Sequence, residues 1–245
     1  MVERVDILNI KLDKIDMDEA CQRVEGFISG DEGKRMVVTP NSEMIVMAQE
    51  DSRLADILNS ADLSIPDGAG VILASRILNK GLCERVAGFD LMKRLFSRAI
   101  ESNYSIYFLG GRPGIVDRAR DRVEQEYPGI DVCGAHHGYL DRRLQYRVIE
   151  EINQLAPDLL FVGMGVPLQE KFLDSHLVDL EVKVAMTVGG SFDVLAGEVT
   201  RAPLWMQKAY LEWFYRLLQE PGRFGRMLAL PRFVFLVLRE RFWSA

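Results

Sequence analysis

Short apolar runs that end in glycine- or proline-bearing loops recur along this chain, and helical patterns follow most of them. Residues 34–39 end in Pro40-Asn41-Ser42-Glu43, ahead of a helix carrying Met44, Ile45, Met47 and Ala48. Residues 61–65 end in Pro66-Asp67-Gly68-Ala69-Gly70, ahead of a helical stretch over 71–78. Residues 104–109 run into Gly110-Gly111-Arg112-Pro113-Gly114 and a helix over 115–127. Later runs at 130–135, 159–162 and 182–188 end in His136-His137-Gly138-Tyr139, Gly163-Met164-Gly165 and Gly189-Gly190-Ser191-Phe192-Asp193. Such alternation predicts an α/β fold, a mostly parallel Rossmann-like sheet with helices on both faces. Residues 5–10 read as one further short strand, and Asp16 with Glu19 three residues on reads as a capping box opening a helix. Asp16 and Asp18 also match a two-carboxylate metal pattern, but they start a helix instead of ending a strand.

In open α/β sheets ligands bind beyond the carboxyl ends of the strands. Asp67 stands at such an end, held between a proline and glycines, and is the candidate for the chemical step; the competing reading is that it only caps the next helix. Thr39 and Asn41 fall on the same edge, again with turn and cap chemistry as the alternative. Arg85 offers a cation to a phosphate-bearing ligand or is a surface residue, and Asp90 is a helix cap in the simpler reading. The glycines of three loops (Gly110 and Gly111, Gly163 and Gly165, Gly189 and Gly190) allow backbone N–H groups to approach an anion, so a nucleoside diphosphate is the natural guest. Glycine serves tight turns in any such fold as well.

Several chemistries are disfavoured. The dinucleotide fingerprint needs three glycines in phase, but Gly110-Gly111-x-x-Gly114 is out of phase and Leu168 stands where Gly163-x-Gly165 needs its third. No Walker A sequence occurs. Gly189-Gly190-Ser191-Phe192-Asp193 lacks the second glycine of an esterase elbow. Cys21, Cys83 and Cys133 form no Cys-x-x-Cys pair. His136 and His137 are expected to point to opposite sides of a strand, and His176 to lie at the surface. No metal cofactor is expected, nor nucleic acid as a partner.

The charge is uneven. Residues 201–245 hold eight Lys/Arg against three Asp/Glu, a surplus of five positive charges in a chain whose net charge is -6. Residues 203–219 read as a helix apolar nearly all round, with Leu204, Trp205, Met206, Tyr210, Leu211, Trp213, Phe214 and Tyr215; Pro221-Gly222 breaks it. Aromatics, leucines and arginines without a spanning run fit helices lying on a membrane surface, or else a helical subdomain packed on the body or on a second copy of the chain. If the break is only a kink, Arg216, Arg223 and Arg226 share one side, which suits phosphate. The expected division is therefore a catalytic domain over 1–200 and a basic, aromatic-rich appendage over 201–245. The polar N-terminus and the lack of a long apolar run point to a cytoplasmic protein, and the composition of the tail to peripheral attachment at a membrane surface.

These motifs together resemble the WecG/TagA/CpsF family, glycosyltransferase family 26. The resemblance rests on Thr39-Pro40-Asn41-Ser42-Glu43, Pro66-Asp67-Gly68-x-Gly70, Arg85-Val86-Ala87-Gly88-Phe89-Asp90, His137-Gly138-Tyr139 and Gly163-x-Gly165-x-Pro167-x-Gln169-Glu170-Lys171. Gly189-Gly190-Ser191-Phe192-Asp193, Glu212-Trp213-x-x-Arg216 and Pro221-x-Arg223-x-x-Arg226 complete it. It implies inverting transfer of N-acetylmannosamine, or a related sugar such as a uronate, from a UDP-sugar to N-acetylglucosamine on undecaprenyl diphosphate, for wall teichoic acid or another surface polysaccharide. It also implies Asp67 as base, Thr39 and Asn41 in support, substrate contacts from Arg85, Asp90, Gln169 and the glycine loops, and arginines from an appendage that associates with membrane. Tyr139 and Asp193 are weaker candidates for uracil contacts. A UDP-sugar-binding regulator without turnover is the alternative, and self-association is compatible with either.

Overall fold

The computed structural model describes residues 3–30, 33–82, 84–209, 211–219, 222 and 224–243, with Lys208, Arg216, Phe224 and Met227 described by backbone alone. Six parallel strands form one sheet: β3 (Arg35–Val38), β4 (Leu63–Ser64), β5 (Ser105–Gly110), β6 (Asp131–His136), β7 (Leu159–Gly163) and β8 (Val184–Thr187). Their order across the sheet is β4-β3-β8-β7-β5-β6. Successive residues on the central strands join different cores. Ile106, Phe108, Leu159, Phe161, Val184 and Met186 pack with helices α1 (Met17–Ser29), α5 (Gly88–Ser102), α6 (Ile115–Glu126) and α9 (Ser191–Leu195). Tyr107, Leu109, Leu160, Val162 and Ala185 pack on the other face with α2 (Ser42–Ala48), α3 (Ser52–Ser60), α4 (Ala69–Ile77), α7 (Arg142–Leu155) and α8 (Leu168–His176). A sheet covered on both faces needs continuous apolar runs, and this is what the strands carry.

The first strand differs from its sequence reading. Residues 5–10 are not one strand but the turn region of an antiparallel hairpin, β1 (Arg4–Ile7) and β2 (Ile10–Asp13), with Leu8 and Asn9 both at positive φ (53° and 63°). Only Asn9 hinted at this conformation, and Leu8 tolerates it because it is buried against the core. The hairpin holds the edge of the sheet: Asp13, buried and paired with Arg4 at 3.0 Å, accepts the Ser64 N–H at 2.7 Å. Helix α1 opens as read, with Asp16 and Glu19 forming a reciprocal capping box.

The stretch over 203–219 is two helices, α10 (Leu204–Lys208) and α11 (Glu212–Gln219), followed by α12 (Phe224–Met227) and α13 (Ala229–Trp243). Pro231 falls in the first turn of α13, where a missing N–H costs nothing. Helix α13 returns to the body and lies on α2 and α4, burying Phe233 and Val237 in the core. Its other face leaves Phe235, Leu238 and Phe242, spaced three and four apart, exposed. No helix among the described residues is long and apolar enough to cross a membrane.

Candidate active site

The carboxyl edge of the sheet opens into a cavity of about 750 Å³. Strand β5 hands on to β6 on one side of the sheet while β7 hands on to β8 on the other, so the edge between β5 and β7 is a switch point of the kind that leaves a crevice. Gly111, Gly138, Gly163, Gly165, Gly189 and Gly190 line that side.

The glycines there do different work. A Cβ on Gly110 would lie 2.3 Å from the carbonyl oxygen of Gly163, and a Cβ on Gly163 would lie 2.7 Å from that of Gly189. These positions let neighbouring loops pack backbone to backbone, tied by the Gly111 N–H to the Gly163 carbonyl at 2.9 Å and by the Gly138 N–H to the Gly111 carbonyl at 2.9 Å. Gly110 itself lies behind the cavity wall. Gly165 and Gly189, at φ 80° and 55°, face open space. Gln169 fixes the Gly189 turn: its Oε1 accepts the Gly189 N–H at 3.0 Å, while its Nε2 donates to buried Glu170 at 2.7 Å.

The opposite wall carries Asp67. Its own N–H donates to the Pro40 carbonyl and the Val86 N–H donates to that of Pro66, which stitches together three loops. The helix after Asp67 is capped at Gly68 with no side-chain bond, so Asp67 does not cap it. Its Oδ2 instead accepts the Gly88 N–H, at the start of α5, at 3.2 Å. A Cβ on Gly88 would come within 2.9 Å of Thr39 Cγ2, so glycine lets Thr39 pack against the start of α5 beside Asp67. About a quarter of the Asp67 side chain is reachable from the cavity; the remainder is walled by protein. Burial raises its pKa above the ordinary carboxylate range, against the opposing pull of Arg85 and the Gly88 N–H.

Thr39 is nearly buried, and its hydroxyl donates to the Thr187 carbonyl over a long 3.4 Å. Asn41 caps α2 through its Oδ1, accepting the Met44 N–H at 3.1 Å; among the described residues nothing engages its Nδ2. Both residues line the cavity with Asp67. Arg85 also lines it, between two carboxylates: Asp67 Oδ1 at 3.4 Å and Glu212 Oε2, from α11, at 2.8 Å. Arg201 continues the ladder, with its Nε 3.1 Å from Glu212 and its Nη2 2.7 Å from Asp90, which it grips with both amino groups. Asp90 thus sits in the first turn of α5, facing the tail, and is not its cap residue.

Tyr139 and Asp193 stand on the far side of the cavity, where Tyr139 is exposed and Arg112 lies 4.0 Å from Asp193. Arg226 reaches the cavity paired with Glu43 at 2.5 and 3.1 Å. Arg216 lies on α11 with only its backbone described, and Arg223 and Cys83 lie outside the described residues. His136 and His137 do not diverge: His137 falls past the strand end and the two rings lie against each other, centroids 4.3 Å apart and planes tilted by 49°. His176 is half-buried, 2.7 Å from Gln145. No cluster of three or more His, Cys, Asp or Glu side chains suited to a metal occurs among the described residues.

Sequence reasoning left Arg201 and Arg112 out of the site and named Glu43 and Glu212 only within motifs. No local signal pairs Arg201 with Asp90, 111 positions away. The surplus of positive charge after residue 200 was the only pointer.

Residues 5–245 match the Glycosyl transferase WecG/TagA/CpsF family. Three relatives share the name N-acetylglucosaminyldiphosphoundecaprenol N-acetyl-beta-D-mannosaminyltransferase. That of Bacillus spizizenii is 37% identical over 85% of this chain and 80% of its own length. That of Bacillus subtilis is 38% identical over 84% and 79%, and that of Staphylococcus aureus 32% identical over 97% and 93%. With its whole α/β body and its C-terminal helices inside that match, the chain belongs to the WecG/TagA/CpsF family of glycosyltransferases.

Proposed function

We propose that this chain transfers N-acetylmannosamine from a UDP-sugar to N-acetylglucosaminyl-diphosphoundecaprenol with inversion at the anomeric carbon. The observation that carries the reading is Asp67: a carboxylate at a strand end, open to the cavity and raised in proton affinity by its surroundings. The names of the relatives supply the sugar and the acceptor. In this mechanism Asp67 takes the proton of the acceptor hydroxyl as that oxygen attacks the anomeric carbon. The bond from that carbon to the phosphate oxygen breaks on the opposite face, and UDP leaves with the electron pair. A base whose proton affinity lies closer to the working pH than a free aspartate's is better matched to this transfer.

The departing diphosphate gains negative charge and needs fixed positive partners. The backbone of the loops at Gly111, Gly165 and Gly189 faces the cavity, with Arg112 and Asp193 beside it. We assign the donor to this side, with Tyr139 and Asp193 at the uracil end, and place the acceptor between Asp67 and the tail. Arginines of the tail then serve one diphosphate or the other, without a metal ion. The exposed Trp205, Phe235 and Phe242 with neighbouring arginines fit a surface that rests on lipid, where the acceptor is held.

The test is Asp67→Asn assayed by UDP release with UDP-N-acetylmannosamine and a lipid-diphosphate N-acetylglucosamine analogue. Turnover falls by roughly 10²–10⁴-fold while UDP affinity stays. Near-normal turnover removes Asp67 from the mechanism, and a wild-type preference for another UDP-sugar corrects the donor.

A further inference from the structure

Arg85 touches both the candidate base and the tail. Its Nε lies 3.4 Å from Asp67 and its Nη1 2.8 Å from Glu212. Glu212 begins α11, beyond the α/β body, and its other oxygen is held by Arg201 Nε at 3.1 Å, which in turn is clamped on Asp90 of α5. The Glu212 side chain is about a quarter exposed, as is that of Asp67, and those of Arg85 and Arg201 are similarly enclosed, so these charges meet with little water between them. A guanidinium divided between two carboxylates neutralises neither of them fully.

We propose that Glu212 is a positioning residue for proton transfer: by drawing Arg85 away from Asp67, and by its own negative charge, it leaves Asp67 a stronger proton acceptor when the tail is docked. Arg201 and Asp90 hold Glu212 in place, so docking of the tail and readiness of the base are linked through a single side chain. This rests on Asp67 being the base. The groups facing Asp67 act in opposite senses. Arg85 and the Gly88 N–H stabilise its charged form, whereas burial and Glu212 oppose it. The Glu43–Arg226 pair at the cavity is already balanced within itself.

The experiment uses full-length protein with 13C at the aspartate side-chain carboxyl carbons, the Asp67 signal being assigned by its loss in Asp67→Asn. Its titration midpoint is read in wild type, Glu212→Gln and Glu212→Asp. Glu212→Gln keeps the size but removes the charge and turns one of the two acceptor oxygens toward Arg85 and Arg201 into an amide donor, so the midpoint falls by about half to one pH unit. The acid limb of the rate profile moves down with it, and Glu212→Asp stays close to wild type. A midpoint unmoved by Glu212→Gln overturns the proposal, and so does an equal shift in both variants, which would mark packing and not charge. Because the midpoint is read without turnover, these outcomes stand apart from the base assignment, which fails only if Asp67→Asn keeps its rate.

Discussion

Glu170→Gln should stabilise the protein above neutral pH and change it little near pH 4. Glu170 is fully buried; its Oε1 accepts from Gln169, and its Oε2 has no hydrogen-bond partner among the described residues. The hydroxyl of Thr187, also without a partner, is its polar neighbour. Burial pushes the Glu170 pKa from 4.5 up to about 7. The folded state therefore holds this proton over a range where the unfolded chain has lost it. Stability from this source is fully present below about pH 4.5 and is lost as the pH rises through about 7. At about 1.36 kcal/mol per pH unit, the loss amounts to roughly 3 kcal/mol. Glutamine keeps the shape, carries no charge and can donate toward Thr187, so the variant lacks this pH dependence. Urea unfolding followed by circular dichroism at pH 4, 6 and 8 measures it for both proteins. The expected result is a stability gap that opens with pH to about 3 kcal/mol in favour of the variant. A gap independent of pH, or a variant weaker at pH 8, refutes the reasoning, because Glu170 would then be charged and satisfied in the fold.

Phe233→Ala should cost about 3–5 kcal/mol in the same denaturation assay, since this ring is 2% exposed and joins α13 to the core; a loss under about 1 kcal/mol would mean the tail helix is only loosely laid on. Phe235→Ser with Phe242→Ser should leave stability nearly unchanged while cutting co-sedimentation with anionic vesicles several-fold, because both rings face outward on one stripe of α13. Undiminished binding would remove that stripe from the membrane surface. EDTA should leave UDP release within about two-fold of the untreated rate, and strong inhibition reversed by a divalent cation would assign the diphosphate to a metal.

Much of the body was readable because strands buried on both faces must be written as apolar runs, and parallel strands must be separated by crossovers. The loops at 110–111, 163–165 and 189–190 were readable as glycine turns, but their purpose was not. Gly110 and Gly163 answer to neighbouring carbonyl oxygens that arrive from other strands. The hairpin at Leu8-Asn9 escaped because a leucine at positive φ follows from burial and not from local preference. The break between α10 and α11 escaped likewise: neither glycine nor proline stands at 209–211, and the turn closes through the Leu211 N–H on the Met206 carbonyl where Glu212 is drawn into the ion-pair ladder.

From its residues alone this protein was bound to be a parallel α/β sheet with a carboxylate and glycine loops along one edge and a basic, aromatic end. Periodicity and turn chemistry act over a few residues, and a few residues suffice to state them. Which charges meet was decided only in three dimensions. Asp67 against α5 instead of its own helix, Arg85 shared with Glu212, Arg201 on Asp90 and α13 on α2 all join positions far apart in the chain. Electrostatic energy depends on separation in space and on the water excluded between the partners, and neither quantity is written in the order of the residues.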